Sequence, residues 1–420
     1  MIVIFSQINL QELTPGLYLP EYRERSIVNL SNFVLKFFQC PTRYPSLEIM
    51  DKIKNPESKK KMILFVIDAV GWKNLQMSAS QSPSLQDDLS IYEQEILTSV
   101  FPTTTTAALT SYCTALPPLE HGMLGYTLFL TDYSSLVNMI MLSPPDFERD
   151  SLIQRGLNPI KFLNIPTIFE TLQENGVKCW TITSDLFSES GLTRMHHKGS
   201  SKRTYSGMLE MFYQLLKTIE EEDSKTFIFV YWGLTDTDGH HWGTQSRPYQ
   251  GGIEYLFRML RKEVIDRLSQ EQLKETVFLI SSDHGQIDTA WEDEEWITSE
   301  DELFQSYIHP PIAGEPRAVY FNVRDKKGFS DYFNQRFSKR FYLMDKNKAI
   351  AANLFSSSTY PLSITERMLK EHQYRLGDFV AVAKEAYSLH FKHHGKSYTL
   401  KGKHGSLTEG ELVIPLLIYS

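Results

Sequence analysis

Three runs of apolar residues constrain the fold of this chain more than any other feature. They cover residues 61–67, 226–232 and 276–282. Because each run is apolar at nearly every position rather than at alternate ones, it predicts a strand buried on both faces, as in parallel sheets. Helical patterns lie between the runs, and strands that alternate with helices predict an α/β fold. We therefore expect a three-layer sandwich, in which helices cover both faces of a mostly parallel central sheet.

The remaining patterns predict further elements and one boundary. Apolar residues at helical spacing predict helices at 27–38, 166–176, 208–221 and 253–268. Strands are predicted at 97–101, at 177–183 and in the last stretch, up to residue 419. From about 291 the chain becomes acidic, with an isolated strand predicted at 318–323 and helical pieces at 329–339 and 364–371. We expect a single domain, 1–420, with a core at about 60–290 and 390–420 and a smaller lid-like insert at about 291–385.

Charge and cysteine content exclude several classes of protein. The formal net charge is −8, so a nucleic-acid backbone is not an expected partner. Cys40, Cys113 and Cys179 are too few and too scattered for a disulfide framework. The N-terminus lacks the basic region and long apolar core of a signal peptide, and no apolar run approaches the roughly 18 residues that span a bilayer. We expect a cytoplasmic protein that binds no membrane.

Acids and histidines follow the ends of the predicted strands, where open α/β sheets place their sites. In chain order these residues are Asp68, Asp236, His240, Asp283, His284 and His404. Asp236 and His240 are four residues apart and face one cation if the segment is coiled; Asp238 and His241 are the competing pair. Carboxylate and imidazole ligands suit zinc, with manganese as the alternative. Six such ligands and one hydroxyl are enough for two divalent metal ions.

A threonine-rich stretch follows the strand predicted at 97–101. Pro102 is followed by Thr103, Thr104, Thr105 and Thr106, and the small residues after them predict a helix. We expect Pro102 in the first turn, where a missing N–H is tolerated, and threonine side chains that cap the first N–H groups. A hydroxyl beside a helix N-terminus, where N–H groups and the helix dipole favour an anion, is suited to attack on phosphorus.

Together these sequences resemble the alkaline phosphatase superfamily, and within it the type I phosphodiesterase/nucleotide pyrophosphatase branch. The resemblance rests on the threonine stretch, the Asp-x-x-Gly-His-x-x-Gly run at 236–243, the Ser-Asp-His-Gly turn at 282–285 and the Gly-x-His-Gly sequence at 402–405. These motifs run in the family's order from about residue 60 to residue 420. The resemblance implies that Asp236, His240 and His404 bind one zinc ion. It implies that Asp68, Asp283, His284 and the nucleophile bind the second.

The resemblance also implies where the nucleophile lies. In the superfamily it stands ten positions before the Gly of a Thr-Gly-x-x-Pro-x-x-His-Gly stretch, and Ala115 replaces that Gly here. Counting back gives Thr105 as the catalytic residue; a shift of register gives Thr104 or, further away, Thr103, while Thr106 would cap the helix or face the core. Nucleotide pyrophosphatases hold a phosphate oxygen with an Asn where this chain has Tyr126. Thr104 and Tyr126 are the expected substrate-binding residues.

The function that the resemblance implies is metal-dependent hydrolysis of phosphoric esters, by a phosphodiesterase or nucleotide pyrophosphatase that forms a phospho-threonine intermediate. Its substrate would be small and phosphorylated, with nucleotides among the candidates. Two alternatives stay open. One is a phosphomonoesterase, or a phosphonate or sulfate ester hydrolase, with the same metals. The other is an inactive metal- or ligand-binding member that acts through a partner.

Several other polar residues are interpreted without a role in catalysis. We expect His121 to shape the loop below the site. The pairs His196–His197 and His393–His394 are expected to be solvated loop residues. Tyr249 and Arg317 are candidates for the wall of a substrate pocket.

Overall fold

The fold is taken from a computed structural model that describes residue 8, residues 10–392 and residues 400–420. The pair His393–His394 lies outside the described residues. The strands, in chain order, are β1 Glu12–Thr14, β2 Leu17–Tyr18, β3 Lys61–Ile67, β4 Glu93–Thr98, β5 Thr127–Leu130, β6 Ser135–Asn138, β7 Lys178–Ser184, β8 Ser201–Tyr205, β9 Thr226–Trp232, β10 Thr276–Ser282, β11 Ile287–Asp288, β12 Glu294–Thr298, β13 Ile308–Glu315, β14 Ala318–Val323, β15 Phe341–Asp345, β16 Phe379–Ala383, β17 Ser388–Lys392, β18 Gly402–Lys403 and β19 Val413–Tyr419.

The α-helices lie between these strands and cover the sheets. In chain order they are α1 Ile27–Phe37, α2 Trp72–Gln81, α3 Pro83–Leu89, α4 Thr105–Thr114, α5 Pro118–His121, α6 Ser151–Gln154, α7 Pro159–Phe162, α8 Ile168–Glu174, α9 Gly191–His196, α10 Met208–Glu221, α11 Leu234–Trp242, α12 Arg247–Glu263, α13 Gln270–Glu275, α14 Glu302–Tyr307, α15 Lys326–Phe337, α16 Lys346–Ala351, α17 Glu366–Tyr374 and α18 Glu409–Leu412. None of these described helices combines the length and apolarity that crossing a bilayer requires.

Seven of the described strands form the main sheet, in the order β4-β19-β10-β3-β9-β7-β8. All neighbours from β10 to β8 are parallel, whereas β19 is antiparallel to both β4 and β10. The three apolar runs form the centre, where β3, β9 and β10 are buried at every position. The prediction of a mostly parallel, doubly covered sheet is confirmed.

The two faces of the sheet bury separate sets of side chains. In β3, Met62, Leu64 and Val66 pack into a cluster with residues of α1, α4 and α8. The alternate positions, Ile63, Phe65 and Ile67, pack into a cluster with residues of α2, α10 and α12. Because successive side chains of a strand point to opposite faces, a strand that is apolar throughout needs helices on both sides. This gives the three layers.

A second described sheet has the order β15-β16-β14-β13-β5-β6. The strand at 318–323 was predicted to be isolated, and this is wrong: β14 pairs with β13 on one side and with β16 on the other. The sheet also takes β5 and β6 from residues 127–138, far from its other strands in the sequence. This long-range pairing brings the 308–383 segment against the loop that follows α5.

Two element boundaries differ from the predictions, for local reasons. The strand predicted at 97–101 is β4, Glu93–Thr98, because its ladder with β19 runs from Glu93 opposite Ile418 to Thr98 opposite Val413. Pro102 does not lie in the first turn of a helix, since α4 begins only at Thr105. The threonine caps are also absent: the side chain of the N-cap residue Thr104 accepts no hydrogen bond from the first turn.

Candidate active site

Three neighbouring strands end side by side, and this register assembles the candidate site. Ile67 of β3 stands opposite both Trp232 of β9 and Ser282 of β10. Asp68 and Asp283 therefore leave the sheet at the same level. Asp236 follows β9 within the first turn of α11. The carboxyl edge of the parallel strands thus gathers three carboxylates from distant parts of the sequence.

The first cluster is formed by Asp68, Asp283 and His284, and it is buried. His284 Nε2 lies 3.5 Å from Asp68 Oδ1 and 3.5 Å from Asp283 Oδ2. Neither of these carboxylate oxygens has a hydrogen-bond partner among the described residues. Their other oxygens are satisfied: Asp283 Oδ1 accepts from the N–H of Ala69 at 3.0 Å and from the N–H of His284 at 2.9 Å, and Asp68 Oδ2 accepts from the hydroxyl of Tyr231.

The second cluster is formed by Asp236, His240 and His404. Asp236 Oδ1 lies 3.2 Å from His240 Nε2 and 3.5 Å from His404 Nε2, and the two Nε2 atoms are 3.3 Å apart. His404 arrives here because β18 pairs with β11, which follows His284 closely in the sequence. Ligand atoms of Asp236, His284 and His404 also lie within 4.8 Å of one another, so the two clusters adjoin.

Backbone carbonyls fix the tautomers of all three histidines. The Nδ1 atoms of His240, His284 and His404 face the carbonyls of Gly402 at 2.7 Å, Gly285 at 3.1 Å and Thr103 at 2.9 Å. Because a carbonyl oxygen only accepts, each Nδ1 must donate, and each Nε2 keeps its lone pair when the ring is neutral. Unpartnered buried oxygens and imidazole lone pairs that converge in this way fit divalent cations.

The electrostatics of the two clusters point the same way. Burial, and then the neighbouring carboxylates of Asp283 and Asp236, raise the pKa of Asp68 well above its ordinary value. Burial likewise raises the pKa of Asp283, and burial together with the neighbouring His284 lowers the pKa of His404 well below its ordinary value. Buried carboxylates held this close repel one another as anions. A bound cation reverses that penalty, because it stabilises the anionic carboxylates and binds the neutral imidazole.

Thr105, the first residue of α4, lies at the first cluster. Its Oγ1 atom is 3.3 Å from His284 Nε2. The N-cap side chain leaves the N–H groups of the first turn free, so the helix start keeps its capacity for an anion. A hydroxyl, a free helix N-terminus and two clusters of metal-type ligands therefore meet at one place.

The neighbouring threonines have other contacts. Thr103 Oγ1 donates to the carbonyl of Ser406 at 2.8 Å and accepts from the N–H of Gly405 at 3.0 Å. Thr106 Oγ1 donates to the carbonyl of Gly125 at 2.9 Å. Thr104 is buried beside Glu315, whose pKa burial raises to about 8 although Thr104 opposes the rise. Of the four threonines, Thr105 is the one with a hydroxyl at the ligand cluster.

Tyr126 lies in the loop between α5 and β5 that Thr106 holds. Its hydroxyl accepts a hydrogen bond from Asn138 Nδ2 at 2.7 Å. Its side chain is partly exposed, at 37%. The acids Glu315 and Asp236 contribute to the raised pKa of its phenol, after burial itself, so Tyr126 stands near both. Its expected role in binding substrate stays a prediction.

Two residues that support the clusters were missed from the sequence. Tyr231 donates its hydroxyl to Asp68 Oδ2, and Gln286 donates its side-chain N–H to Asp236 Oδ1 at 2.9 Å. From the sequence, Tyr231 is indistinguishable from a core aromatic, since it lies inside an apolar strand. The available signal was its position one residue before the end of β9, beside the end of β3 that precedes Asp68.

Some residues considered from the sequence lie elsewhere, and two expectations are wrong. Tyr249 is fully buried and donates to the carbonyl of Ala69 at 2.6 Å. Arg317 is fully buried in an ion pair with Glu411. Neither can line a substrate pocket. His121 accepts from the N–H of Met123 and contacts Ser111, as expected for a residue that shapes a loop.

The pair His196–His197 is not solvated, contrary to expectation. His196 ends α9 and is buried, with its Nε2 atom 2.8 Å from Thr110 Oγ1. Burial lowers the pKa of both histidines to about 3, so both are neutral near pH 7. The competing pair Asp238–His241 is not part of either cluster, because α11 turns Asp236 and His240 toward His404 instead.

A cavity of about 330 Å³ opens beside Thr105. Asp68, Asp236 and Tyr231 line its end at the ligand clusters. Much of the remaining wall is apolar and includes Leu109, Ile140, Leu186, Phe187, Leu192 and Phe229. Cavities of this size and lining hold small organic ligands.

The comparison with protein families decides what kind of site this is. Residues 62–407 match the profile of type I phosphodiesterase/nucleotide pyrophosphatase. The chain belongs to this family. It is therefore a hydrolase of phosphoric esters, which confirms the prediction from the motifs. Members of this phosphodiesterase family are typically dependent on divalent metal ions, in agreement with the chemistry of the two clusters.

Several solved structures have the same fold as this chain but share little of its sequence. An inactive form of murine ectonucleotide pyrophosphatase/phosphodiesterase 5, in complex with AMP, is 16% identical with a TM-score of 0.60 and covers 86% of this chain and 88% of its own. Phosphonoacetate hydrolase from Sinorhizobium meliloti, in complex with phosphonoacetate, is also 16% identical with a TM-score of 0.60 and covers 85% and 89%. Comparison with curated proteins finds no significant match.

Proposed function

We propose that this chain hydrolyses phosphodiesters at a two-metal site, with Thr105 as the nucleophile. The observation that carries the proposal is the pair of buried, unpartnered oxygens, Asp68 Oδ1 and Asp283 Oδ2, that converge on His284 beside the hydroxyl of Thr105. A protein that kept such oxygens without a ligand would lose about 1–3 kcal/mol for each one. Cations bound by these oxygens would remove this cost, and they would lie beside the hydroxyl of Thr105.

The residues that would hold the metals divide into two sets. One set is Asp68, Asp283, His284 and Thr105, and the other is Asp236, His240 and His404. We propose zinc in both, with manganese as the alternative, since both sets mix carboxylate with imidazole. When bound, two such ions lower the pKa of a hydroxyl and neutralise charge on the attacking and leaving oxygens.

The chain's own groups account for the remaining steps. Thr105 Oγ1 loses its proton to solvent and attacks phosphorus, so that an Oγ1–P bond forms while the bond from phosphorus to the leaving oxygen breaks. The free N–H groups at the start of α4 face the region where negative charge develops. Water then attacks phosphorus, breaks the Oγ1–P bond and returns a proton to Thr105. Thr104 and Tyr126 are proposed to contact the substrate.

Two measurements test this function. Thr105→Ala is expected to lower turnover of bis-4-nitrophenyl phosphate by about a thousandfold or more, the order found when a covalent nucleophile is lost. Thr104→Ala is the matched variant and is expected to cost much less. If Thr105→Ala keeps near-normal turnover while Thr104→Ala does not, the nucleophile is Thr104.

Metal content separates the enzyme from a silent member of the family. We expect about two zinc or manganese ions per chain in the purified protein. Mass spectrometry of acid-quenched reactions is expected to find phosphorus bound to residue 105, with the ester group that has not left still attached. Less than one bound ion per chain, with no turnover of any ester, would favour a binding protein that acts through a partner. The cytoplasmic location stays a prediction of the sequence.

A further inference from the structure

One guanidinium, that of Arg149, lines the cavity beside Thr105. Among the described residues, Arg149 is the only lysine or arginine in the cavity wall. The two histidines of the wall, His196 and His197, have a pKa lowered to about 3 by burial and add no positive charge near pH 7. The cavity therefore has one fixed cation besides whatever the ligand clusters bind.

This cation is not used by the protein itself. In the part of the chain that the structure describes, no carboxylate oxygen lies within salt-bridge distance of Arg149. Its guanidinium donates one hydrogen bond, from Nη1 to the carbonyl of Ile140 at 3.1 Å. Burial raises the pKa of Tyr126, and the positive charge of Arg149 opposes that rise. Most of its N–H groups remain available to a ligand.

The loop that carries Arg149 is fastened to two other segments through the next residue, Asp150. The N–H of Asp150 donates to the carbonyl of Met141 at 2.7 Å, and Asp150 Oδ1 accepts from the N–H of Gly191 at 2.9 Å. A Cβ at Gly191 would lie 2.8 Å from that oxygen, so the two segments pack tightly. The backbone next to Arg149 is thus fixed at the cavity, and the bond from Nη1 to the carbonyl of Ile140 directs its side chain.

We propose that Arg149 is a specificity-determining residue that pairs with an anionic oxygen of the substrate beyond those bound at the two clusters. A half-buried guanidinium without a carboxylate partner is suited to a charge-assisted, bidentate contact with phosphate or carboxylate. The preferred substrate then has one more negative charge than a simple diester. This inference rests on the proposed attack of Thr105 on phosphorus at the two clusters, whichever ester is preferred, and deepens it because it names the charge of the substrate.

Two substrates share this chemistry. In a phosphomonoester, the additional anionic oxygen is the third non-bridging oxygen of the phosphoryl group itself. In a diester it is a phosphate or carboxylate on the organic group that fills the cavity. Arg149 would bind the additional anionic oxygen in either case. A set of substrates that all share the same leaving group can distinguish the two cases.

The experiment uses three 4-nitrophenyl esters: methyl 4-nitrophenyl phosphate, 4-nitrophenyl phosphate and carboxymethyl 4-nitrophenyl phosphate. Arg149→Gln removes the charge and keeps a polar side chain. We expect it to lower kcat/KM about 30-fold for one or both of the more anionic esters, and by less than about threefold for the methyl ester, since a hydrogen bond to a charged group corresponds to roughly 10- to 150-fold. Arg149→Lys is expected to restore part of the loss.

The control is Arg155→Gln, which removes a guanidinium outside the cavity, where it stacks on Phe147. It is expected to change none of the three rates by more than about twofold. A loss confined to 4-nitrophenyl phosphate assigns the third phosphoryl oxygen, and one confined to the carboxymethyl ester assigns a remote anion. Equal losses on all three esters, or none on any, overturn the inference. Failure of the wild type to cleave any ester would instead count against the proposed function.

Discussion

Replacing Tyr231 by Phe tests whether the first cluster is a metal site. The hydroxyl of Tyr231 is the described donor to Asp68 Oδ2, and Asp68 is only 3% exposed. The variant removes one oxygen atom from a buried strand and leaves a buried carboxylate oxygen with no donor. Burial raises the pKa of Asp68, whereas the hydrogen bond from Tyr231 favours its anionic form. Loss of this hydrogen bond therefore matters most when a bound cation requires Asp68 to be an anion.

The magnitude follows from the kind of hydrogen bond. A hydrogen bond to a charged group contributes about 1.5–3 kcal/mol, which corresponds to roughly 10- to 150-fold in affinity. Loss of residues that orient metal ligands typically lowers metal affinity by about 10- to 100-fold. We therefore expect Tyr231→Phe to lower the affinity of the protein for one of the two zinc ions by about 10- to 100-fold. Competition with a chromogenic chelator measures this affinity.

A matched variant separates this effect from a general loss of stability. Tyr320 is also fully buried, and its hydroxyl donates to the carbonyl of Leu124 at 2.6 Å. Tyr320→Phe is expected to lower the free energy of unfolding by about 1 kcal/mol, as for a neutral hydrogen bond, and to leave zinc affinity unchanged. Equal zinc affinity in Tyr231→Phe and the wild type, or equal weakening in both variants, would refute the reasoning.

Two further predictions concern the support of the second cluster and the pH dependence of stability. A Cβ at Gly239 would lie 1.6 Å from Gln286 Oε1, so Gly239→Ala is expected to displace Gln286 from Asp236. We expect the affinity for the other zinc ion to fall about tenfold. An unchanged chelator titration would contradict this. Burial lowers the pKa of His372 to about 4, below the value of about 6.5 in an unfolded chain. Between these two pH values the unfolded state binds more protons than the folded state, so the free energy of unfolding decreases as the pH is lowered. From pH 7 to pH 5 this group alone is expected to cost about 2 kcal/mol. Denaturant titrations should show a correspondingly flatter pH dependence in His372→Gln, and a dependence as steep as that of the wild type would rule the reasoning out.

The centre of the fold was predictable because its strands are buried on both faces. The runs that form β3, β9 and β10 are apolar on both faces, and their ends were predicted to within one residue. The edge strand β8 was missed because its sequence, Ser201–Tyr205, is polar and largely exposed. The pairing of β14 was missed because β13, which directly precedes it, was not predicted as a strand, and because β16 comes from a distant segment that local patterns do not report.

The acids and histidines of the candidate site were predictable from the sequence, and its supporting groups were not. Aspartates and histidines stand out when they follow apolar strands, and the structure brings those six together. Tyr231 has only its position near the end of β9 as a signal, because a tyrosine in an apolar strand resembles a core residue, and Arg149 resembles a surface residue because it lies in a loop. Pro102 misled, since its position relative to the helix start depends on how the chain leaves β4.

The order of the main sheet has a consequence for how this protein is made. β19, residues 413–419, lies between β4 and β10, which are both synthesised long before it. Until those residues leave the ribosome, β4 and β10 have unpaired N–H and C=O groups along the edges that β19 later joins. His404 emerges only shortly earlier. A chain cut short during translation would therefore be both unable to complete its sheet and prone to stick to its neighbours.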